Sequence, residues 1–582
     1  MVASPHALAT AAGVDVLRRG GNAVDAAIAT NAVLAVVFPA SNGIGGDALW
    51  LVYEPKTHET IAYNGSGGAA AALDADSVRE RGYATMPKFG ALTVTVPGCV
   101  RSWEDVAAAH GTRGLDELLA PAEAYARAGY VVTDVVAQTF AVNEALLRDD
   151  AAAVELFFAR GLPQPGDVLH NVPLADSLAA IRRDGARAFY SGRIAAAICS
   201  TLAPLGNPMT PDDLARHVTD RATPLAIPWH GCELVAHPPN SQAAVALMVL
   251  GALANDGAAS DLDWTHLAIE AIKDAFVARD TRFTDPRTTR DSIADILTPA
   301  ALAAARARID PARARTRRSP VDRGGTIAVV AVDNDGRAVS LIESLYTSFG
   351  SGVVARGTGI VLHNRGAYFR LEDDHPGVLT GGKRPLHTLS PGMLLCGGEP
   401  EFVYGAMGGD GQPQRTCSSC TTSTNAGCRC SRRSMRRVSS TGAIAKRRSR
   451  IPYASKRASI RASSRGFASA ATSSTSSAPT IVRSGTRMAS SSIGNAARSP
   501  AEPTRAPILS RSGTRAPERL RTQRGEHLSR RRYRAVQEHT DPIDPSRRPK
   551  TQQHGRGVDA ERERGLPPGH GRNRDAREHH ER

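Results

Sequence analysis

The chain changes character abruptly after Gln414, and this change limits what it can fold into. Before that residue, stretches with helical and with strand periodicity alternate, as they do in a chain that buries a core. The remaining 168 residues contain only 16 Leu, Ile, Val and Phe residues. A segment with so little apolar surface cannot offset its conformational entropy by burial. We therefore expect residues 1–414 to fold and residues 415–582 to form a low-complexity, Arg/Ser-rich, disordered tail.

Charge follows the same division. The formal net charge of the chain is +15, but residues 415–582 contribute 37 Lys and Arg against 12 Asp and Glu. Residues 1–414 hold 35 basic and 45 acidic residues, so the part expected to fold is acidic. Runs such as Arg530–Arg532 would bind phosphates without sequence specificity, because no folded frame accompanies them. Nucleic acid is therefore not the partner that we expect.

The cysteines do not predict a disulfide framework or a metal site. Four of them are sparse and lie in apolar surroundings, which is typical of reduced core residues: Cys99, Cys199, Cys232 and Cys396. The spacing of the remaining two pairs does not suit a common zinc ribbon; these are Cys417 with Cys420 and Cys428 with Cys430. We therefore expect neither a metal nor a cofactor.

The sequence shows no sign of a membrane segment. No apolar run reaches about 18 residues, the length that a spanning helix needs. The first ten residues lack the basic and apolar stretches of a secretory signal. We therefore expect a cytoplasmic protein without membrane association; a start upstream of this sequence is the open alternative.

Helical and strand patterns can be placed along the first 414 residues. Asn22 is a suitable N-cap for a helix that is apolar all round, and a glycine-rich turn over residues 41–47 leads into a hairpin. The predicted helices cover residues 5–20, 23–38, 265–282 and 300–317. The predicted strands cover residues 48–53, 59–63, 326–332, 338–343, 359–363 and 401–404.

A threonine that follows two glycines and begins an apolar strand is the feature with the clearest chemical meaning. Thr326 follows Gly324 and Gly325. Glycine tolerates a strained turn, and a hydroxyl at the start of the next strand can attack the preceding carbonyl. Cleavage between Gly325 and Thr326 would leave an α-amine, which titrates near pH ~8 and can act as the general base of the same threonine. Taken alone, the pattern also suits an ordinary junction between a loop and a strand.

Several separate motifs, in order, resemble the gamma-glutamyltransferase (gamma-glutamyltranspeptidase) family over about residues 2–414. The motifs are Gly21–Ile28, Gly43–Asp47, Val96–Gly98, Ile269–Phe276, Phe349–Val353, Arg384–Leu386, Ser390–Pro391 and Gly408–Gly409. The resemblance implies an α+β fold, a four-layer αββα sandwich of the N-terminal-nucleophile hydrolase type. It also implies a precursor that is cut into a large subunit, residues 1–325, and a small subunit that begins at residue 326. Thr326 matches the family's nucleophile.

The resemblance also assigns roles to individual residues. Ser344 matches a hydroxyl residue that assists the nucleophile. Gly408 and Gly409 match glycines whose backbone N–H groups stabilise the oxyanion. Thr388 matches a serine of the substrate pocket.

Other pocket positions depart from the glutathione-cleaving members. Tyr346 replaces an asparagine that contacts the substrate, Tyr368 replaces an aspartate that holds the α-ammonium, and His387 replaces a pocket serine. Only Lys88 lies near the position of the family's carboxylate-binding arginine, and the correspondence there is loose. Arg365 can hold a substrate carboxylate or can be a surface arginine in a turn. The chain therefore looks closer to a divergent branch with cephalosporin-acylase-like and oxamate-amidohydrolase-like members.

The break after Gln414 falls where the family's small subunit would continue for roughly another hundred residues. We interpret it as a shift of reading frame, which makes residues 326–414 a truncated small subunit. The leading hypothesis is an amidohydrolase or acyltransferase that cleaves itself and acts on gamma-glutamyl or related acyl amides such as glutathione. One alternative is a beta-lactam acylase or an oxamate-type amidohydrolase. The other is an inactive, uncleaved precursor whose basic tail adheres to nucleic acid.

Overall fold

Two antiparallel sheets form the centre of the fold, in a computed structural model that describes residues 1–254, 261–289, 292–316, 324–425 and 480–482. These residues belong to the compact unit over residues 1–491, whereas the second unit, residues 492–582, lies outside the described residues. Cys428, Cys430 and Arg530–Arg532 also lie outside them, as does most of the segment predicted to be a disordered tail.

The strands of the described part, in chain order, are β1 (Val2–Ala3), β2 (Asp47–Glu54), β3 (Glu59–Asn64), β4 (Tyr130–Val131), β5 (Val168–Leu169), β6 (Asp220–Ala222), β7 (Leu225–Trp229), β8 (Cys232–Ala236), β9 (Gly325–Val332), β10 (Ala338–Tyr346), β11 (Val354–Ala355), β12 (Ile360–Val361), β13 (Gly392–Cys396), β14 (Glu399–Gly405) and β15 (Thr480–Val482). The first sheet has the order β1-β9-β10-β2-β3-β6, and the second has the order β15-β14-β13-β8-β7. Both β4 with β5 and β11 with β12 form small two-stranded pairs.

The α-helices of the described part are α1 (Ala7–Arg18), α2 (Ala23–Val37), α3 (Ala75–Arg79), α4 (Cys99–His110), α5 (Leu115–Leu118), α6 (Ala120–Ala128), α7 (Asp134–Val142), α8 (Glu144–Arg148), α9 (Ala151–Phe158), α10 (Val172–Asp184), α11 (Arg187–Tyr190), α12 (Arg193–Leu202), α13 (Pro211–Ala215), α14 (Ala244–Leu253), α15 (Asp261–Arg282), α16 (Pro299–Ala307) and α17 (Gln412–Asn425). No helix in the described ranges is long and apolar enough to cross a membrane.

The apolar side chains divide the molecule into four layers. Helix α2 is buried over its whole length and packs against β9 and β10 on the outer face of the first sheet. Leu51 and Val330 of the first sheet meet Met393 and Val403 of the second in a core between the sheets. Helices α14–α17 cover the far face of the second sheet, where Leu394 and Phe402 point. This arrangement confirms the predicted αββα sandwich, because each sheet buries both faces.

Most predicted elements are present, with changed ends. Asn22 caps α2 as predicted, in a reciprocal capping box with Asp25. The hairpin of β2 and β3 and that of β9 and β10 are both formed. Strand β10 is longer than predicted because it runs on to Tyr346 in pairing with Gly325. The helix predicted over residues 300–317 is shorter, since α16 ends at Ala307.

The predicted boundary after Gln414 falls inside a helix. Helix α17 runs across it, and Cys417 and Cys420 are buried with the side chains between this helix and the second sheet. Further along, β15 pairs with β14 through Thr480–Val482. Two short pieces beyond residue 414 therefore belong to the folded unit, α17 through its buried cysteines and β15 through the pairing of its backbone with β14.

One prediction about the cysteines is wrong. Cys232 and Cys396 form a disulfide, with Cα atoms 4.4 Å apart. They lie at neighbouring ends of β8 and β13, which pair antiparallel in the second sheet. The two residues are separated by 164 positions in the chain, so only the sheet brings them together. Cys99 and Cys199 are buried free thiols, as predicted.

Candidate active site

The site begins where β9 and β10 meet at the edge of a β-bulge between Glu343 and Tyr346. The bulge places the Thr326 Oγ1 atom 3.2 Å from the Ser344 Oγ atom, and both side chains are buried. Ser344 donates a hydrogen bond of 2.6 Å to the carbonyl oxygen of Gly325. The Tyr346 N–H donates to Ser344 Oγ at 2.7 Å.

The direction of these bonds follows from the number of protons. A serine hydroxyl has one proton, and Ser344 uses it on the Gly325 carbonyl. In its contact with Thr326 it is therefore the acceptor, and the Thr326 hydroxyl is the donor. Ser344 thus connects the hydroxyl of Thr326 to the carbonyl of the peptide bond that precedes the same residue.

A second glycine-rich segment lies against this peptide. A Cβ atom on Gly324 would be 3.0 Å from the Gly409 Cα atom and 3.2 Å from its nitrogen. Gly408 has φ +109° and Gly409 has φ +54°, a backbone region that favours glycine. Gln242 holds the turn, because its side-chain amide donates to the carbonyls of both Gly409 and Thr388 at 3.0 Å. The structure therefore brings the predicted glycine pair beside the predicted cleavage position.

Arg365 is fully buried, which makes it different from a surface arginine in a turn. Its guanidinium lies 4.2 Å from the centre of the Tyr346 ring and 5.3 Å from that of Tyr368. The Nη2 atom donates to Thr388 Oγ1 at 3.1 Å, whereas Nε and Nη1 have no partner among the described residues. Burial lowers the pKa of Arg365. A buried cation with two unused donors suits an anionic group of a ligand.

Tyr368 takes part in a charged network that the sequence analysis did not identify. Its hydroxyl donates to Asp410, and Arg279 of α15 donates to the same carboxylate oxygen at 2.6 Å. Arg279 also donates to Gln242 at 2.7 Å. Burial, followed by the charge of Asp410, raises the pKa of Tyr368 well above its usual range. The sequence did contain a signal for Arg279, because this charged residue lies on the side of a predicted amphipathic helix that faces inward.

A cavity of about 180 Å³ adjoins this network. Tyr346, Tyr368, Arg279 and Asp410 all line it, and Arg370 contributes further charge. Both tyrosine rings therefore face the cavity and also contact Arg365.

Asp47 is a further residue that the sequence analysis missed as part of the site. It lies opposite Ser344 in the pairing of β2 with β10 and is completely buried. Its Oδ2 atom is 3.0 Å from His387 Nε2 and 3.4 Å from His363 Nδ1. Burial acts to raise the pKa of Asp47, but the two histidines and Arg365 outweigh it and lower the pKa to about 2. A carboxylate at the end of a glycine-rich turn was the signal in the sequence.

His387 is buried beside Asp47 and is neutral over the physiological pH range. Burial, followed by the charge of Arg365, lowers its pKa to about 3, although the bond to Asp47 acts in the opposite direction. The structure therefore places His387 beside Asp47 as a hydrogen-bonding group and not as a cation.

Lys88 is the predicted site residue that the structure does not bring into this group. Its backbone carbonyl accepts a hydrogen bond of 2.7 Å from Asn364, but its side chain is exposed and its ammonium lies 5.7 Å from the centre of the Phe89 ring. The buried cation beside the tyrosines is Arg365.

Comparisons with known proteins find similar sequences and a similar fold. The profile of the Gamma-glutamyltranspeptidase family matches residues 9–431. The chain is 38% identical over 420 residues to the glutathione hydrolase-like YwrD proenzyme of Bacillus subtilis, covering 71% of this chain and 79% of that protein. It is 38% identical over 427 residues to the oxamate amidohydrolase proenzyme of Klebsiella pneumoniae, covering 71% and 80%. The crystal structure of cephalosporin acylase from Bacillus halodurans is similar with a TM-score of 0.69 and 35% identity, covering 73% and 80%.

Proposed function

The chain belongs to the gamma-glutamyltranspeptidase family, and we propose that it is a precursor that cleaves itself between Gly325 and Thr326 and then hydrolyses a small acyl amide. The observation that carries this proposal is the position of Ser344, which binds the Thr326 hydroxyl and the Gly325 carbonyl together. Residues 1–325 would form the large subunit, and the small subunit would begin at Thr326.

Self-cleavage would use the atoms that Ser344 brings together. The Thr326 Oγ atom attacks the Gly325 carbonyl carbon, and its proton passes to the Thr326 nitrogen as the peptide bond breaks. Water then hydrolyses the resulting ester, which leaves a carboxylate on Gly325 and both an α-amine and a hydroxyl on Thr326. The Ser344 hydroxyl stabilises the negative charge that develops on the Gly325 oxygen.

The mature Thr326 would act on the substrate in the same way. Its α-amine, with a pKa near about 8, takes the proton of Oγ as this atom attacks the substrate carbonyl. The backbone N–H groups of Gly408 and Gly409 stabilise the oxyanion, and the amine leaves with the transferred proton. Water releases the acyl group as an acid, or a second amine accepts it. Every step uses groups of this chain, water and the substrate.

Arg365 supports a substrate whose acyl half carries a carboxylate, since its Nε and Nη1 atoms have no partner within the described residues. Thr388, Tyr346 and Tyr368 would surround that half of the substrate. A gamma-glutamyl amide such as glutathione carries this carboxylate. The alternative is a beta-lactam acylase or an oxamate-type amidohydrolase, which the names of two similar proteins favour. The alternative that is not an enzyme is an uncleaved, inactive precursor with a basic tail.

Intact mass spectrometry with N-terminal sequencing of the purified protein tests the proposal. We expect a fragment that begins Thr-Ile-Ala-Val-Val, and we expect the Thr326→Ala variant to stay at full length. A full-length wild-type chain after long incubation would contradict self-cleavage and favour the inactive precursor. Cleavage in both proteins would mean that another protease cuts the chain and that Thr326 is not the nucleophile.

A further inference from the structure

Behind the two tyrosines lies a group of fully buried polar side chains, which we call the buried chamber: Asp47, Arg365, His387 and Thr388. The Asp47 carboxylate determines where the proton of His387 resides. Asp47 Oδ1 accepts from the N–H groups of Gly67 at 3.3 Å and Gly98 at 3.1 Å, and Oδ2 faces His387 Nε2 at 3.0 Å. Since a carboxylate can only accept here, His387 carries its proton on Nε2 and presents a lone pair on Nδ1.

Three polar atoms of the buried chamber have no hydrogen-bond partner among the described residues. They are two donors, Nε and Nη1 of Arg365, and one acceptor, Nδ1 of His387. Buried polar groups in proteins are nearly always paired, so unpaired ones beside a reacting group indicate a place for a ligand. A ligand that satisfies all three must offer acceptors to Arg365 and one donor to His387.

The charges of the buried chamber restrict this donor further. Asp47 already accepts from His387 and from two backbone N–H groups, and Asp410 accepts from Tyr368 and Arg279. An ammonium group on the ligand would therefore face the neutral lone pair of His387 Nδ1 close to the Arg365 cation. No carboxylate of the buried chamber would be available to pair with that ammonium. A neutral O–H or N–H group gives the same hydrogen bond without repulsion between like charges.

The buried chamber also lies beside the reacting hydroxyl. Asp47 is the cross-strand partner of Ser344, and Ser344 Oγ is 3.2 Å from Thr326 Oγ1. Partners on neighbouring strands have Cα atoms about 4.5–5.5 Å apart. Tyr346 and Tyr368, whose rings contact Arg365, also line the cavity described above.

We propose that Arg365 and His387 together bind an acyl group that carries a carboxylate and, on the neighbouring carbon, a neutral O–H or N–H donor in place of an ammonium. Arg365 takes the carboxylate, and His387 Nδ1 accepts from the donor. This inference rests on the proposed function for the reaction, and it defines the substrate class of that site.

Three matched anilides test the preference. They are the mono-p-nitroanilides of 2-hydroxyglutarate, glutarate and glutamate. In each compound the anilide is formed at the carboxyl group distant from the substituted carbon. The three compounds therefore differ only in the group beside the free carboxylate, which is O–H, C–H or ammonium. We expect the hydroxy compound to exceed the other two at least tenfold in kcat/KM with the mature protein. Equal rates for the hydroxy and unsubstituted compounds, or a preference for the glutamate compound, would overturn the proposal.

A binding measurement separates this proposal from the reaction itself. Calorimetry on the Thr326→Ala variant with 2-hydroxyglutarate, glutarate and glutamate, and with the shorter series malate, succinate and aspartate, does not depend on cleavage or catalysis. In one of the two series, the hydroxy acid should bind at least tenfold more tightly than the unsubstituted acid and the amino acid of the same chain length. If that order appears without any hydrolysis by the wild-type protein, the binding site stands and the proposed reaction fails. If neither series shows the order, the binding site is refuted.

Variants assign the effect to His387. His387→Leu removes the acceptor and should abolish the difference between the hydroxy and unsubstituted acids, whereas His387→Gln keeps a donor for Asp47 and an acceptor oxygen and should retain part of it. The exposed His170 provides the control, and His170→Gln should keep the full difference. The melting temperature shows whether the His387→Leu protein folds. If it folds and still prefers the hydroxy acid, a group other than His387 accepts the hydrogen bond from the ligand.

Discussion

At the scale of single residues, the site depends on one serine hydroxyl. Ser344 accepts from Tyr346 and Thr326 and donates to the Gly325 carbonyl, so all its hydrogen-bonding capacity is used on residues of the paired strands β9 and β10. This arrangement orients the Thr326 hydroxyl and polarises the carbonyl that it would attack. A neighbouring serine, Ser340, lies on the same strand and is equally buried, but it donates to the Tyr404 carbonyl in the second sheet.

This pair of serines gives a matched test. We expect Ser344→Ala to slow self-cleavage by roughly 10²-fold or more, the effect of removing one donor from a developing oxyanion. Ser344→Thr keeps the hydroxyl and should restore most of the rate. The rate is measured as the loss of the full-length chain with time on a denaturing gel.

The control for this prediction is Ser340→Ala, which removes a buried serine hydroxyl without touching Thr326. It should reduce stability by about 1 kcal/mol and leave the cleavage rate within a few-fold of wild type. Equal slowing in both variants would mean that Ser344 acts only through folding.

At the scale of elements, the disulfide joins two strands that the proposed cleavage would assign to different subunits. Cys232 at the start of β8 precedes Thr326, and Cys396 at the end of β13 follows it. The two strands are neighbours in the second sheet, which therefore consists of strands from both subunits. The disulfide would tie the two subunits covalently after the peptide bond between them is cut.

We therefore expect the cleaved protein to run as one species on a denaturing gel without reductant and as two with reductant. Cys396→Ala should give two species under both conditions. In the uncleaved Thr326→Ala background, adding Cys396→Ala should lower the free energy of unfolding by about 2–5 kcal/mol, because the long loop between Cys232 and Cys396 is then no longer closed in the unfolded chain. Two species from the wild-type protein without reductant would contradict the tether.

At the scale of the whole molecule, three buried histidines connect folding to pH. Burial is the largest cause in each case, and it lowers the pKa of His217 and His387 to about 3 and that of His237 to about 4. The unfolded chain takes up protons on these residues below about pH 6.5, whereas the folded protein does not. The free energy of unfolding must therefore be highest above pH 6.5 and must fall as the pH drops toward these values.

Each such histidine changes the free energy of unfolding by at most about 1.4 kcal/mol per pH unit, so near pH 5 the three together give up to about 4 kcal/mol per unit. Asp47 acts in the same direction at lower pH, because its pKa is lowered to about 2 and its contribution is lost as the pH falls from about 4. Urea denaturation of the uncleaved Thr326→Ala variant at pH 7, 6 and 5 measures this slope. Adding His387→Gln should lower the slope by the contribution of about one proton, about 1.4 kcal/mol per pH unit, whereas adding His170→Gln should leave the slope unchanged. A stability that stays constant between pH 7 and 5 would contradict the buried, neutral histidines.

Local chemistry in the sequence was sufficient for several parts of the fold. The Asn22 cap, the all-round apolar α2 and the hairpin of β9 and β10 follow from rules that span a few residues, and the structure contains all three. The placement of Thr326 at the beginning of a strand belongs to the same class. The αββα sandwich was predicted in another way, from the resemblance of several ordered motifs to a known family, and not from the periodicity of the elements.

The tertiary structure alone decided which distant side chains share one buried space. The bond between Asp47 and His387 spans 340 positions, that between Arg279 and Asp410 spans 131, and the disulfide spans 164. Periodicity describes which face of an element is buried, but it does not say which element covers that face. The sequence by itself therefore determined the elements and the position of Thr326. The packing of the two sheets and their helices determined that Arg365 is buried, that His387 faces Asp47 and that Cys232 meets Cys396, because these contacts exist only once the layers have come together.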